Sequence, residues 1–220
     1  MPSVAGISME CARYDVNFPE TEKTLKARIS SYKSSLNREK KIYGHIDDGS
    51  GKRYLLFCLY FVLGDLKRAR DYFEWYKAEF PDDIGEPVQQ LCWALSLHRM
   101  GKEPEARYRL AKLMLSNLYV IPHILGRDIA QYDMWHSSNY ETPDYVAYIP
   151  DEVERNIGES EIEWMKALYD SPEFRNIRQR HVQIFHELQN VHDPDRRRAL
   201  VDESHTLLKG LEEGAGRQGH

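Results

Sequence analysis

Cysteine is scarce in this sequence of 220 residues. Cys11, Cys58 and Cys92 form the complete set, and no pair has the CxxC spacing of a structural zinc site. An odd and sparse set also argues against a disulfide framework, because small disulfide-rich domains carry many paired cysteines. We therefore expect a cytoplasmic protein that uses no metal and no other cofactor.

Long hydrophobic runs are absent as well. The longest, YLLFCLYFVLG at 54–64, has about half of the roughly 20 residues that a membrane-spanning helix needs. The first residues, MPSVAGISMECARYD, have neither the basic start nor the continuous apolar segment of a signal peptide. We expect 54–64 to be a buried helix, and we expect no membrane partner.

Neither sign of charge dominates the composition. The 30 basic residues stand against 35 acidic ones, for a formal net charge of −5. This balance argues against a nucleic-acid partner, which selects for a basic surface. Hydrophobic residues make up 41% and aromatic residues 11%, so the chain has enough apolar surface to fold.

Sequence signatures of catalysis are also missing. The chain has no GxxxxGK[ST] loop, no GxGxxG turn and nothing that resembles a nucleophile elbow. Asp133, His136 and Ser137 suggest a hydrolase, but scattered residues of these types occur in any chain of this length. We predict that the protein is not an enzyme. An enzyme or metal-binding protein that uses the loop 131–150 and the C-terminal histidines stays as the alternative.

Helical periodicity is what the sequence does contain. Apolar residues of the segment 18–44 recur at helical spacing and form one narrow stripe, which consists of Leu25, Ile29, Tyr32, Leu36 and Tyr43. Further along, Ser160 and Glu163 have the spacing of a capping box at the start of a helix. The fold class that we predict is therefore all-α.

The domain organisation follows from the same periodicity. We expect an irregular N-terminus at 1–18, one helical domain at 19–210 and a disordered polar tail at 211–220. Inside the domain, helical hairpins are predicted at 53–81 and 88–118, and a C-terminal helical cap at 151–209.

The two hairpins form an internal repeat. Gly64 and Ala69 in the first return as Gly101 and Ala106 in the second, 37 residues later. The segment 50–118 resembles the tetratricopeptide repeat family, whose unit is a helical hairpin of about 34 residues. The matching positions are Leu56, Tyr60, Gly64, Ala69, Phe73 and Pro81 in the first unit, and Ala94, Leu97, Gly101 and Ala106 in the second.

The sequence departs from the family pattern at several positions. Phe57 and Tyr76 stand where the family has small residues, and Trp93 replaces a leucine. Leu118 stands where the closing proline is expected, and three extra residues separate the units. Two units cannot bury their faces alone, so the flanking segments are expected to cover them.

The resemblance implies a concave groove lined by the first helix of each hairpin. A protein or an amphipathic peptide would bind there, which gives an adaptor or a neutralising partner of a toxin or effector. The expected partner-binding residues are Tyr54, Cys58, Phe61, Leu91, Leu95, His98 and Arg99, to which we add Trp135 from the aromatic loop. Alternatively, the chain fills this groove itself, with the helix at 20–43 as the obvious occupant.

Two further clusters were considered as sites. His181, His186 and His192 lie on one predicted helix, but a gap of five residues turns the second ring about 140° from the first. His181 and His192 share a face but lie roughly 16 Å apart, so they cannot hold one metal ion. Six arginines could contact RNA phosphates, although nearby acids favour pairing within the protein. They are Arg175, Arg178, Arg180, Arg196, Arg197 and Arg198.

Overall fold

A computed structural model describes residues 18–19 and 21–216, and this part of the chain contains helices and no strand. The predicted all-α class is confirmed. The helices are α1 Glu22–Tyr43, α2 Lys52–Leu63, α3 Leu66–Glu79, α4 Pro87–Arg99, α5 Glu103–Ser116, α6 Val120–Ile124, α7 Asp151–Arg155, α8 Glu159–Tyr169, α9 Pro172–Asn190, α10 Pro194–Thr206 and α11 Lys209–Gly216. Short 3-10 turns occupy Asn139–Glu141 and Pro143–Tyr148. The predicted irregular segment 1–18 lies outside the described residues except for Phe18.

Within the described ranges, no helix combines the length and the apolar character that a bilayer crossing requires. The most apolar helix, α2, has 12 residues and lies in the core. Its six consecutive buried side chains, from Leu56 to Phe61, face protein on all sides. The long apolar run of the sequence therefore serves packing.

Glycine ends the first helix of each predicted hairpin. Gly64 has φ +71° and donates its N–H to the Tyr60 carbonyl at 3.0 Å, which terminates α2. Gly101 has φ +70° at the corresponding place after α4. Because this left-handed conformation carries a steric cost for residues with a Cβ, glycine permits a two-residue turn after α2 and a three-residue turn after α4. The turns let α2 contact α3, and α4 contact α5.

Aromatic rings fill the space between the first hairpin and α4. Phe57 of α2 is fully buried, and its ring centroid lies 4.9 Å from that of Phe73 and 4.9 Å from that of Trp93. Tyr76 meets Phe57 edge-on at 5.0 Å. Phe57 and Tyr76 are two departures from the tetratricopeptide pattern, and they pack directly on each other. A large ring at one of these positions is therefore packed by the large ring at the other.

Helix α1 lies along α2 and reaches the last turn of α3, where Lys40 forms an ion pair with Glu79. Its buried face consists of Leu25, Ile29 and Leu36, which belong to the predicted stripe. Tyr43, the last member of that stripe, is instead 67% exposed, because the helix ends at Gly44 beyond the surface it packs on.

The tail differs from the prediction of disorder at 211–220. Residues 209–216 form α11, which packs on α5, and Tyr108 donates a hydrogen bond to Glu212 at 2.9 Å. Leu208 and Leu211 lie against the main core. These two leucines supply apolar contacts that the glycine-rich composition of the tail does not suggest. Residues 217–220 lie outside the described part of the chain.

Phe57→Ala is expected to lower the free energy of unfolding by about 3–5 kcal/mol, because it leaves a cavity among four aromatic rings that cannot collapse. The matched control is Tyr43→Ala, at an exposed position, which should change stability by less than about 0.5 kcal/mol. Urea denaturation followed by circular dichroism measures both. Equal effects of the two variants would contradict the packing described above.

Candidate partner-binding surface

Most of the predicted groove residues are buried. Cys58, Leu91 and Leu95 have no exposed surface, and Phe61 is 1% exposed. Tyr54, His98 and Arg99 are partly buried. The apolar side chains that α2 and α4 contribute here are therefore covered by the protein itself.

The cover comes from the C-terminal half of the chain. The Tyr145 hydroxyl accepts a hydrogen bond from the Val88 N–H at 3.2 Å, at the start of α4. Ile149 and Val153 are buried in the same core, and α7 contacts α2. Of the two groove states left open by the sequence, the filled one is observed. Its occupant is the segment 143–161, whereas the predicted occupant, α1, lies along α2 and reaches only the last turn of α3.

Arg99 fastens this cover. Its guanidinium donates to the Glu161 carboxylate at 2.6 Å, to the Asn156 carbonyl at 2.6 Å and to the Phe61 carbonyl at 3.2 Å. The guanidinium carbon also lies 4.1 Å from the centre of the Phe61 ring. Every one of these contacts is internal, so Arg99 acts as a clamp between α4 and α8.

Glu161 was not singled out from the sequence. It is 2% exposed, and its carboxylate accepts a hydrogen bond from the Gly158 N–H at 2.5 Å. The capping interaction predicted for Ser160 and Glu163 is therefore wrong, since the helix begins earlier, after Gly158. The sequence signal for the role of Glu161 is the order Gly-Glu-Ser-Glu, in which Glu161 is the third residue after a glycine cap.

His98 and Trp135 have different environments. His98 approaches Glu103 at 3.1 Å, and its ring stacks on Trp164 at 4.4 Å between centroids. Trp135 is 41% exposed and stacks in parallel on Phe185 of α9 at 6.2 Å. Among the eight predicted partner-binding residues, Trp135 is the one that presents a largely open side chain.

The residues of the enzyme alternative are held apart by separate contacts. Asp133 accepts from Gln189 at 3.2 Å, and its carbonyl oxygen lies 2.8 Å from Nδ1 of His186. His136 lies beside Tyr119 instead, with 3.5 Å between Nε2 and the hydroxyl oxygen. Ser137 bonds to Glu141. These contacts do not assemble Asp133, His136 and Ser137 into a nucleophile with an adjacent base.

The C-terminal histidines do not converge either. His181 is buried against Phe185, and burial lowers its pKa from 6.5 to about 4. His186 lies on the Asp133 side of α9. Across residues 18–19 and 21–216, no three His, Cys, Asp or Glu side chains gather in a way that could hold a metal ion.

Five of the six C-terminal arginines, all except Arg198, engage the protein's own groups. Arg180 donates two hydrogen bonds to Glu203, at 2.5 and 2.6 Å, and Arg196 donates one to Glu187 at 2.5 Å. Arg178 lies 3.9 Å from the Tyr169 ring centre and donates to the Tyr169 carbonyl. Hydrogen-bonded pairs of this kind compete with phosphate contacts, so they favour a structural role.

A polar network fixes the loop between the hairpins. The carboxylate of Asp83 accepts from Arg53 at 2.7 Å, from the Tyr54 hydroxyl at 2.7 Å and from the Gly85 N–H at 2.9 Å. Burial raises the pKa of Asp83, but the hydrogen bonds from Tyr54, Gly85 and Arg53 outweigh it, so the pKa is lowered overall. Asp48 holds the other side, where its carboxylate accepts from the N–H groups of Lys52 and Arg53.

This network carries an exposed apolar side chain at its edge. Ile84 follows Asp83 directly and is 80% exposed. Ile42 and Tyr43, exposed at 57% and 67%, follow Lys40 at the end of α1, and Lys40 pairs with Glu79 at the end of α3, shortly before Ile84. We call Ile42, Tyr43 and Ile84 the end face. Sequence reasoning treated PDDIGEP only as a helix stop, although a lone isoleucine among turn-forming residues is a usable signal.

Comparisons of the chain with protein-family models, with curated proteins and with solved structures gave no match.

Leu95→Asp is expected to unfold the protein, because it places an unpaired charge at a fully buried position, at a cost of more than about 4 kcal/mol. Ile84→Asp introduces the same charge at an exposed position and serves as the control, with an expected change below about 0.5 kcal/mol. Circular dichroism and thermal denaturation compare the two. A folded Leu95→Asp protein would show that the groove is open.

Stability should also depend on the ionisation of Glu86, next to the loop. Burial raises its pKa from 4.5 to about 7. The folded state therefore keeps this proton at pH values where the unfolded chain has lost it, and the contribution to stability disappears as the pH rises from 4.5 through 7. Glu86→Gln should be more stable than the unmodified protein by up to about 3 kcal/mol at pH 8, and the gain should vanish near pH 4.5.

Urea unfolding at both pH values measures this effect of Glu86. The exposed Glu74→Gln serves as the control and should give a gain near zero at either pH, since its partner Lys77 lies on the surface of the same helix. A gain for Glu86→Gln that is independent of pH would show that a property other than ionisation is responsible.

Proposed function

We propose that this protein is a non-catalytic, tetratricopeptide-like binding module whose partner is another protein or an amphipathic peptide. The observation that carries the proposal is the presentation of Ile84. Its side chain is 80% exposed, on a loop held by the three hydrogen bonds to Asp83. Partner binding would then take place at the end face and not in the filled groove.

Energetics favour a rigid apolar projection as a contact. Burying one isoleucine side chain against a partner contributes about 1.5–3 kcal/mol. A loop that is already fixed loses little further conformational freedom on binding, so more of that free energy appears as affinity. Tyr43 adds an aromatic ring with a polar tip, a residue type enriched among the strongest contacts of protein interfaces.

The hairpin arrangement supports the comparison with tetratricopeptide repeats. Support comes from the two hairpins with glycine at their turns and from the burial of Ala69 and Ala106, the small residues of the repeat pattern. Segment 143–161 then takes the place of a ligand in the groove. We propose a cytoplasmic adaptor or neutralising protein on this basis.

The test is capture of a partner from lysate of the native host by the tagged protein, at moderate and high salt. A stoichiometric protein partner is expected that survives high salt, because the contact is apolar. Ile84→Asp combined with Ile42→Asp should abolish its capture while leaving the module folded.

Trp135→Ala is the matched control, since it removes an exposed aromatic side chain of the loop 131–150, which stacks on Phe185 of α9. Partner capture that survives in the end-face variant and disappears in Trp135→Ala would transfer the site to the aromatic loop. Nucleic acid that is recovered alone and lost at high salt would contradict protein binding and favour the arginines.

A further inference from the structure

A small cavity lies beside the turns of the two hairpins. Leu66, Lys67 and Arg70 of α3 line one side, and Met100 and Lys102, at the turn after α4, line the other. The cavity has a volume of about 270 Å³. Pockets for drug-sized ligands have roughly 300–1,000 Å³, so this one suits a smaller molecule.

The internal repeat of the sequence builds this cavity. Gly64 ends α2 and lets α3 begin two residues later, at Leu66. Gly101, with φ +70°, turns the chain at the equivalent place of the second hairpin and lies between Met100 and Lys102. Because residues next to both turns line one cavity, the two turns lie side by side.

Cations dominate the lining. Among the described residues, three of the five that line the cavity are basic and none is acidic. Lys67 and Arg70 are three residues apart on α3, so they share a face of the helix. Both are exposed, and within the described part of the chain neither side chain forms an ion pair or a hydrogen bond. Lys102 has one ion pair, with Glu105 at 3.4 Å.

The acids at the start of α3 do not neutralise these cations. Asp65 caps the helix, where its carboxylate accepts from the Arg68 N–H at 3.1 Å. Asp71 follows Lys67 by one helical turn, but it does not line the cavity, and no ion pair joins the two in the described structure. An anion that enters the cavity therefore meets cations that are available to bind it.

Leu66 and Met100 give the same cavity an apolar part. Both side chains are partly buried, and Met100 packs against the main core. An inorganic anion would use the cations alone, whereas an anion with a hydrocarbon part would also cover these two side chains. Removal of that apolar surface from water favours the second kind of ligand.

We propose that this cavity binds a phosphomonoester, which is a phosphate group that carries a small apolar substituent. The planar guanidinium of Arg70 can donate two N–H groups to two phosphate oxygens. The ammonium groups of Lys67 and Lys102 supply the further positive charge that a dianion prefers. The substituent packs on Leu66 and Met100. Such an ester is either a free small molecule or a phosphorylated side chain of another protein.

This site is separate from the end face proposed for protein binding. The cavity lies at the first turn of α3, while Ile84 comes after the last turn. A helix of 14 residues is about 20 Å long, so one small ligand does not reach both places. Different variants therefore remove ester binding and partner capture.

Isothermal titration calorimetry of the full chain with phenyl phosphate tests the proposal. The titration is carried out at pH 8, where the ester is a dianion, and at constant ionic strength in a phosphate-free buffer. Saturable binding is expected. Inorganic phosphate should bind about tenfold more weakly, because it leaves Leu66 and Met100 uncovered.

A double variant tests the cations. Lys67→Gln combined with Arg70→Gln should weaken the binding of phenyl phosphate at least about tenfold, since two charge-assisted contacts are lost. The matched control is Arg68→Gln combined with Lys77→Gln. It removes one arginine and one lysine of the same helix that are paired with acids and do not line the cavity. The control should keep the affinity within about twofold.

Met100→Ala tests the apolar part by itself. It should weaken the binding of phenyl phosphate by about fivefold and keep that of inorganic phosphate within about twofold, because only the apolar contact is reduced. Circular dichroism checks that the variant is folded. Leu66→Ala gives the same comparison if Met100→Ala does not fold.

An alanine peptide with one central phosphothreonine distinguishes the two sources of the ester. Tighter binding of this peptide than of phenyl phosphate would assign the cavity to a phosphorylated protein. Weaker binding of the peptide would assign it to a free phosphate ester.

Three results would overturn the proposal. They are an absence of saturable binding of phenyl phosphate to the unmodified protein, an equal loss of affinity in the two double variants, and an affinity for inorganic phosphate that equals the affinity for phenyl phosphate.

Discussion

The fold depends on the closure of one apolar face, the face that α2 and α4 present together. This closure is made by a segment that lies 50 or more residues further along the chain, and Arg99 is its main polar contact. Two of the three groups that accept from this guanidinium, the Glu161 carboxylate and the Asn156 carbonyl, belong to the cover and meet Arg99 only in the closed state. Removing the partner of a buried charge costs far more than the net gain from the pair, so such a contact selects one arrangement of the cover over other apolar packings. Hydrophobic burial drives the closure, and the ion pair between Arg99 and Glu161 fixes the position of the covering segment.

The same closure determines where function can reside. A groove that is filled by the protein's own segment cannot accept a partner at Leu91 or Leu95 without opening. The apolar projection at Ile84, fixed by the Asp83 network, stays exposed after folding, and it is the contact that we propose for a protein partner.

Local features were readable from the sequence, and distant pairings were not. Gly64 and Gly101 predict the turns because a positive φ is a property of a single residue. The stripe of Leu25, Ile29 and Leu36 depends only on the helical period. The roles of Tyr145 and Glu161 depend on partners 57 and 62 residues away, which no local pattern records. The helix at 209–216 could not be predicted for a related reason. Its few leucines become core contacts only when the segment packs on α5. The exposure of Ile84 depends on the geometry of the Asp83 network, so the turn-forming residues around it give only an indirect signal.

The position of the cover in the chain has a consequence for biosynthesis. While the ribosome has produced only the first 140 residues, α2 and α4 can pair, but their apolar face lacks Tyr145, Ile149 and Val153. The nascent chain therefore presents a hydrophobic surface to the cell until the later segment emerges. A groove of this kind can be occupied in that interval by a chaperone or by another nascent copy. The order of synthesis thus exposes, for a limited time, the surface that the finished protein conceals.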